Sequence, residues 1–239
     1  MARRLFKLAA ILALALSAST PAVWPAQRPA EKRIPLSEAT IIVELNATAQ
    51  DVGVQVFLDG EAWRSMKIFD PKGRKLVDVS NMGSVGALGM TELFFESEEP
   101  SLDELPLDEF LALFPAGQYS FVGETVDGEK ISGRARFTHA IPDGPVIIAP
   151  TAGSIVDPAN AVIRWQAVAN PPGSEIVGYQ VIVEREDPFR NFQATVPATA
   201  TSVTVPPQFL EAGTDYKFEV LAIEAGGNQT ISEGSFRTQ

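Results

Sequence analysis

LEAGTDYKF, residues 210–218, has a counterpart in LFPAGQYSF, residues 113–121. Both windows place Leu first, Tyr seventh and Phe ninth. Around each window the apolar residues alternate with polar ones at a period of two. Phe218, Val220 and Ala222 fall on one face of the stretch after Tyr216, and YSFVGETV runs on from Tyr119, its first residue, in the same manner. The run ARFT follows Tyr119 at about the spacing at which SFRT follows Tyr216. The repeat therefore marks the same local structure, written once in each half of the chain.

Working outward from residue 210, the C-terminal half reads as seven short strands: PVIIAP, AVIRWQAVA, IVGYQVIVERE, FQATVPA, SVTVPP, YKFEVLAIE and ISEGSFRT. Ile163, Trp165 and Ala167 share a face, as do Tyr179, Val181 and Val183, and such faces predict a two-sheet core. The Trp of VIRWQAV, then GYQVIVE, VPATATSVTVP and FLEAGTDYKFEVLAIEAGGN, in that order, resemble a fibronectin type III domain over residues 145–239. The resemblance implies an immunoglobulin-like sandwich. There Tyr216 turns its hydroxyl back to the backbone a few residues upstream, and Leu210 packs beneath the corner. By the repeat, Tyr119 and Leu113 take the same roles in the first half.

That first half, residues 38–142, reads as a divergent immunoglobulin-like sandwich of no named family. TIIVELN, VGVQVFLDG, SMKIFD, KLVDV and TELFFE read as separate strands, divided by turn signals such as Asp59-Gly60 and Pro71-Lys72-Gly73. LPLDEFLALF, residues 105–114, interrupts the strands. Leu107, Phe110, Leu111 and Phe114 have helical spacing, Pro106 suits the first helical position, and Asp108 and Glu109 suit the first turn. The expected architecture is all-β: two tandem antiparallel sandwiches, the first with a short helix before its tyrosine corner. IPDGPVIIAP joins them as a short, stiff link that limits their relative angles.

The N-terminus differs in kind. Arg3, Arg4 and Lys7 precede the apolar run Leu8 to Leu16, and small residues follow, so residues 1–22 read as a secretory signal peptide. The apolar run is short of the roughly 20 residues that span a bilayer. Residues 23–37, rich in Pro, read as a linker. These features predict an exported chain, periplasmic or extracellular, with no membrane insertion after cleavage.

The composition, 45% hydrophobic and 21% charged, is that of a globular chain. Loss of Arg3, Arg4 and Lys7 leaves 16 basic residues against 30 acidic ones, a net charge near −14. Nucleic acid is a poor partner for such a chain, because its recognition needs a basic patch. There is no cysteine and one histidine, His139, so thiolate and multi-histidine metal sites are excluded. No GxSxG turn is present. NMGSVGALGM has no phosphate-loop Lys and reads as a flexible loop.

Three features remain as candidate binding groups. Trp63, Phe189 and Phe192 lie near strand ends, where exposed rings would stack on a sugar or grip a protein. The acidic segment offers Glu96, Glu98, Glu99 and Asp103 as weak calcium candidates, although it lacks the order of residues in a calcium loop. The expectation is a non-enzymatic module without a cofactor, docking a protein or polysaccharide of the bacterial cell envelope. A glycan-binding accessory module and a calcium-stabilised adhesion protein are the alternatives.

Overall fold

Strands of the first half run in the order β1 (Arg33–Pro35), β2 (Glu38–Asn46), β3 (Asp51–Phe69), β4 (Lys75–Ser80), β5 (Met90–Glu96), β6 (Gly117–Thr125) and β7 (Lys130–Phe137). The computed structural model describes residues 33–239, so the signal peptide and residues 23–32 of the linker lie outside the described residues. Within the expected linker, Arg33–Pro35 form β1, paired in parallel with β7.

The long strand β3 organises this half. Its N-terminal part pairs with β2 and β5, and its C-terminal part pairs with β4 and β6. One strand thus belongs to both layers of the sandwich, β2-β3-β5 facing β4-β3-β6-β7-β1. Asp59-Gly60, expected as a turn, instead lies inside β3. Gly60 leaves room there for the Leu36 side chain, since a Cβ would come within 2.8 Å of Leu36 Cδ2. The inward face holds Val52, Val54, Val56 and Leu58 before the crossing and Trp63, Met66 and Ile68 after it, all buried. Pro71-Lys72-Gly73 does turn, with Asp70 accepting from the Lys72 and Arg74 N–H groups at 2.9 and 2.8 Å.

Two helices punctuate the strands. Residues expected as a loop form α1 (Gly83–Leu88), which buries nothing. The predicted helix forms as α2 (Leu107–Leu113), with Pro106 at the N-cap and Asp108 and Glu109 in the first turn. Phe110 is buried against the core and its ring lies 5.4 Å from that of Phe114.

The C-terminal half contains β8 (Ile147–Ala149), β9 (Ser154–Val156), β10 (Val162–Trp165), β11 (Ile176–Arg185), β12 (Arg190–Pro197), β13 (Ser202–Thr204), β14 (Asp215–Glu224) and β15 (Gln229–Thr238). The seven expected strands are present, and β9 adds a parallel pairing to β15. A three-stranded sheet, β13-β10-β8, faces β12-β11-β14-β15. Trp165, Tyr179, Val181, Phe218, Val220 and Phe236 pack between them.

The link is not all that joins the halves. β15 pairs in parallel with β2, Gln229 opposite Glu44 and Ile231 opposite Asn46, so one sheet of twelve strands runs through both sandwiches. Asn228 anchors the seam: its Oδ1 accepts from Val43 N at 2.9 Å, and its Nδ2 donates to Thr138 O at 3.1 Å, Thr138 Oγ1 at 3.0 Å and Ala140 O at 3.2 Å. Thr230 Oγ1 donates to Pro142 O at 2.7 Å.

Candidate binding surface

The two corners share their hydroxyl-to-backbone geometry but differ in the direction of the bond. Tyr216 Oη accepts from Glu211 N at 2.8 Å, and Tyr119 Oη donates to Pro115 O at 3.1 Å. Burial holds the Tyr119 hydroxyl far from ionising, its pKa pushed up to about 12, with Asp70 adding to the shift. Leu210 is buried beneath its corner, whereas Leu113 is 56% exposed on the outer side of α2. Helical phase explains the difference: α2 turns Phe110 inward, with Phe114 packed against the same core, and leaves Leu113 outside.

The expected aromatic platform does not assemble. Trp63 is 0% exposed, deep in the first core because it faces inward where β3 crosses layers. Phe192 points from β12 into the second core, its ring 6.1 Å from that of Phe209. Phe189 alone of the three is open, at 66% exposure. His139 sits at the junction, Nε2 2.8 Å from Phe114 O.

Strand pairing builds a surface that the sequence did not single out. On the outer face of β2-β3-β5, residues opposite one another form rows. Glu38, Asp59 and Glu92 make an acidic row. Thr40, Phe57 and Phe94 make the next, with Phe94 59% exposed. Ile42, Gln55 and Glu96 follow, and Gln55 Nε2 donates to Glu96 Oε1 at 3.0 Å. Glu44 opposite Gly53 ends the series, and the stem of Glu99 lies over Gly53, where a Cβ would come within 2.9 Å of Glu99 Cγ. An aromatic pair is therefore bordered by carboxylates on both sides.

Of the four calcium candidates, Glu96 and Glu99 converge, and they do so on Glu44, which lies far from them in sequence. Their carboxylate oxygens lie within 4.8 Å of one another. Glu98 and Asp103 are exposed and stand outside this cluster. Three carboxylates could hold a divalent cation, but supply three of the six to eight oxygens that calcium takes. Burial pushes Glu44 up to about 7, Gln229 donates to it and opposes the shift, and Glu96, Glu99 and Glu219 add to it. Glu99 is raised by burial and by Glu96 and Asp51, and Glu219 by burial and by Glu184 and Glu233. The acidity thus continues across the seam from β5 to β14.

The sequence of the second half matches the Fibronectin type III domain family over residues 149–238. Residues 149–238 form a fibronectin type III domain. The first half is a β-sandwich consistent with a divergent immunoglobulin-like fold. Among solved structures the chain is similar to a segment of two fibronectin type III domains from chicken tenascin, with 12% identity over 84% of this chain and 98% of that one and a TM-score of 0.30. It is also similar to a tandem repeat from the extending region of a large adhesion protein, with 14% identity over 84% of this chain and 50% of that one and a TM-score of 0.31. A bacterial ice-binding adhesin matches at 19% identity over 87% of this chain and 65% of that one, with a TM-score of 0.27. No curated protein matches the chain. No helix among the described residues is long and apolar enough to cross a membrane.

Proposed function

We propose that the chain is an exported, non-enzymatic docking or scaffolding module of the bacterial cell envelope, with a protein partner. The observation that carries this reading is the sheet continuous through both sandwiches. Strand pairing between β2 and β15, fixed by Asn228, holds the fibronectin type III domain and the first sandwich as one body with a shared face. A rigid shared face lowers the entropy lost when a partner docks. Fibronectin type III domains are typically binding or scaffold modules without catalysis. A glycan platform is disfavoured, because Trp63 is buried and Phe192 is largely inside.

Crosslinking in intact cells of the source organism, followed by affinity capture and mass spectrometry, tests the reading. A single dominant envelope protein is the expected result. Recovery of the chain alone overturns it.

A further inference from the structure

The first sandwich is open along one side. β5 pairs with β3 alone, and so does β4, although the two strands edge opposite layers. Among the described residues no strand lies between them. A groove of about 290 Å³ occupies the gap, lined by residues that include Val54, Val56, Leu76, Val77, Phe95 and Phe114. Almost all of this lining is apolar, and it leads directly into the core.

The backbone of β5 is ready for another strand. Ser97 N–H donates to Val54 O at 2.9 Å. Antiparallel pairing alternates from there, so Leu93 and Phe95 direct their N–H groups to β3, and Glu92, Phe94 and Glu96 direct theirs to the open edge. Side chains alternate in step. Leu93 and Phe95 point to the groove side, while Glu92, Phe94 and Glu96 are exposed on the outer face.

We propose that the free edge of β5 accepts an extended segment of a partner protein in which apolar residues alternate with lysine or arginine. Alternate side chains of an added strand would enter the groove, and the others would stand beside Glu92, Phe94 and Glu96. Charge complementarity selects the occupant. The outer row is acidic, Glu38, Asp59, Glu44 and Glu99 extend it, and the chain as a whole carries −11. An acidic or uncharged segment gains the groove but not the outer row. This inference rests on the docking reading above and names the partner's chemistry.

The probe is acetyl-KVKVKVKVK-amide, titrated into the labelled full chain and followed by NMR and calorimetry. EVEVEVEVE keeps the apolar alternation with the opposite charge, and KKKKKVVVV keeps the composition without the alternation. The alternating basic peptide should bind about tenfold or more tightly than either, weaken as salt rises, and shift the resonances of residues 92–97 and of Leu76 and Val77. Phe94→Pro removes an edge N–H that the β3 ladder does not use, and should abolish binding, whereas Phe94→Ala keeps the N–H and should retain it. If Phe94→Pro unfolds the protein, Glu92→Lys combined with Glu96→Lys serves instead and should abolish the preference for the basic peptide. Equal affinity for EVEVEVEVE, shifts confined to β12, or undiminished binding by folded Phe94→Pro would each overturn the proposal. So would self-association of the peptide-free chain that Phe94→Pro removes, since a second copy would then be the occupant. Capture from cells separates the two readings: a partner retained by folded Phe94→Pro leaves the docking function standing and removes β5 as its site, whereas no partner with the unaltered chain removes the function itself.

Discussion

At the scale of single residues, the two corners predict different costs for the same substitution. Tyr216→Phe leaves the Glu211 N–H without its acceptor, while Tyr119→Phe leaves the Pro115 carbonyl without a donor. Orphaned buried N–H groups are rarer in folded proteins than under-satisfied carbonyls. Urea unfolding should therefore show a loss of roughly 1–3 kcal/mol for Tyr216→Phe and of about 1 kcal/mol for Tyr119→Phe. Equal losses would mean that bond direction does not matter at these corners. Glu44 predicts a pH dependence. Its pKa is about 7 when folded, against an ordinary value of 4.5, so the folded state takes up a proton over a range in which the unfolded chain stays ionised. Stability should rise as pH falls from about 7 to about 4.5, by at most about 1.4 kcal/mol per unit before solvent screening reduces it. Glu99, Glu219 and Asp51 are raised and act in the same sense, while Asp70, Asp78 and Asp157 are lowered and withdraw stability in more acidic solution. Glu44→Gln, melted in chelator across this range, should flatten the rise, and an unchanged slope would remove Glu44 as its source. The corners were legible in the sequence because a tyrosine bonds to backbone only a few residues away. Glu44 was not, because its neighbours arrive from β5, β14 and β15 only when the sheet forms.

At the scale of elements, β3 shows where local signals stop. Asp59-Gly60 has the chemistry of a turn, and the same pair type at Asp127-Gly128 does turn between β6 and β7. What keeps Asp59-Gly60 extended is pairing on both sides, β2 and β5 before it and β4 and β6 after it, and that pairing is not local information. Leu113 failed for a related reason, since the repeat fixed its distance from Tyr119 but the helix fixed its direction. Trp63 lies in the first core and Phe192 is partly buried against the second, although both have the sequence setting of strand-end aromatics, whereas exposed Phe94 sits between two inward apolar residues, Leu93 and Phe95. The close pairing of β3 with β6 leads to a third prediction. A Cβ on Gly123 would lie 2.3 Å from Ser65 O, a backbone atom that cannot step aside without breaking the ladder. Gly123→Ala should lower stability by roughly 2–4 kcal/mol, read from the urea midpoint at unchanged slope. A loss below about 0.5 kcal/mol would show that the strands separate more easily than their register implies.

At the scale of the whole molecule, the question is whether two sandwiches unfold as one. The linker's composition predicted restricted angles, but the coupling comes from groups far apart in sequence. Asn228 is buried, and one side chain serves the Val43 N–H from β2 and the Thr138 and Ala140 carbonyls from the connecting segment. Ala47 N–H adds a bond to Ile231 O at 2.9 Å, beside the three register pairs of β2 and β15. A seam of this kind is cooperative, because unfolding either half takes from the other both the hydrogen-bond partners and the burial that the seam supplies. Calorimetry of the unaltered chain should give a single transition whose calorimetric and van't Hoff enthalpies agree. Asn228→Ala orphans one N–H and two carbonyls at once, for a loss of roughly 2–4 kcal/mol at about 1 kcal/mol or more per group. More tellingly, it should divide the transition, with the van't Hoff enthalpy falling below the calorimetric one as each core melts separately. Two transitions already present in the unaltered chain would mean that the seam aligns the halves without coupling them, and the rigid face on which the docking reading depends would lose its physical basis.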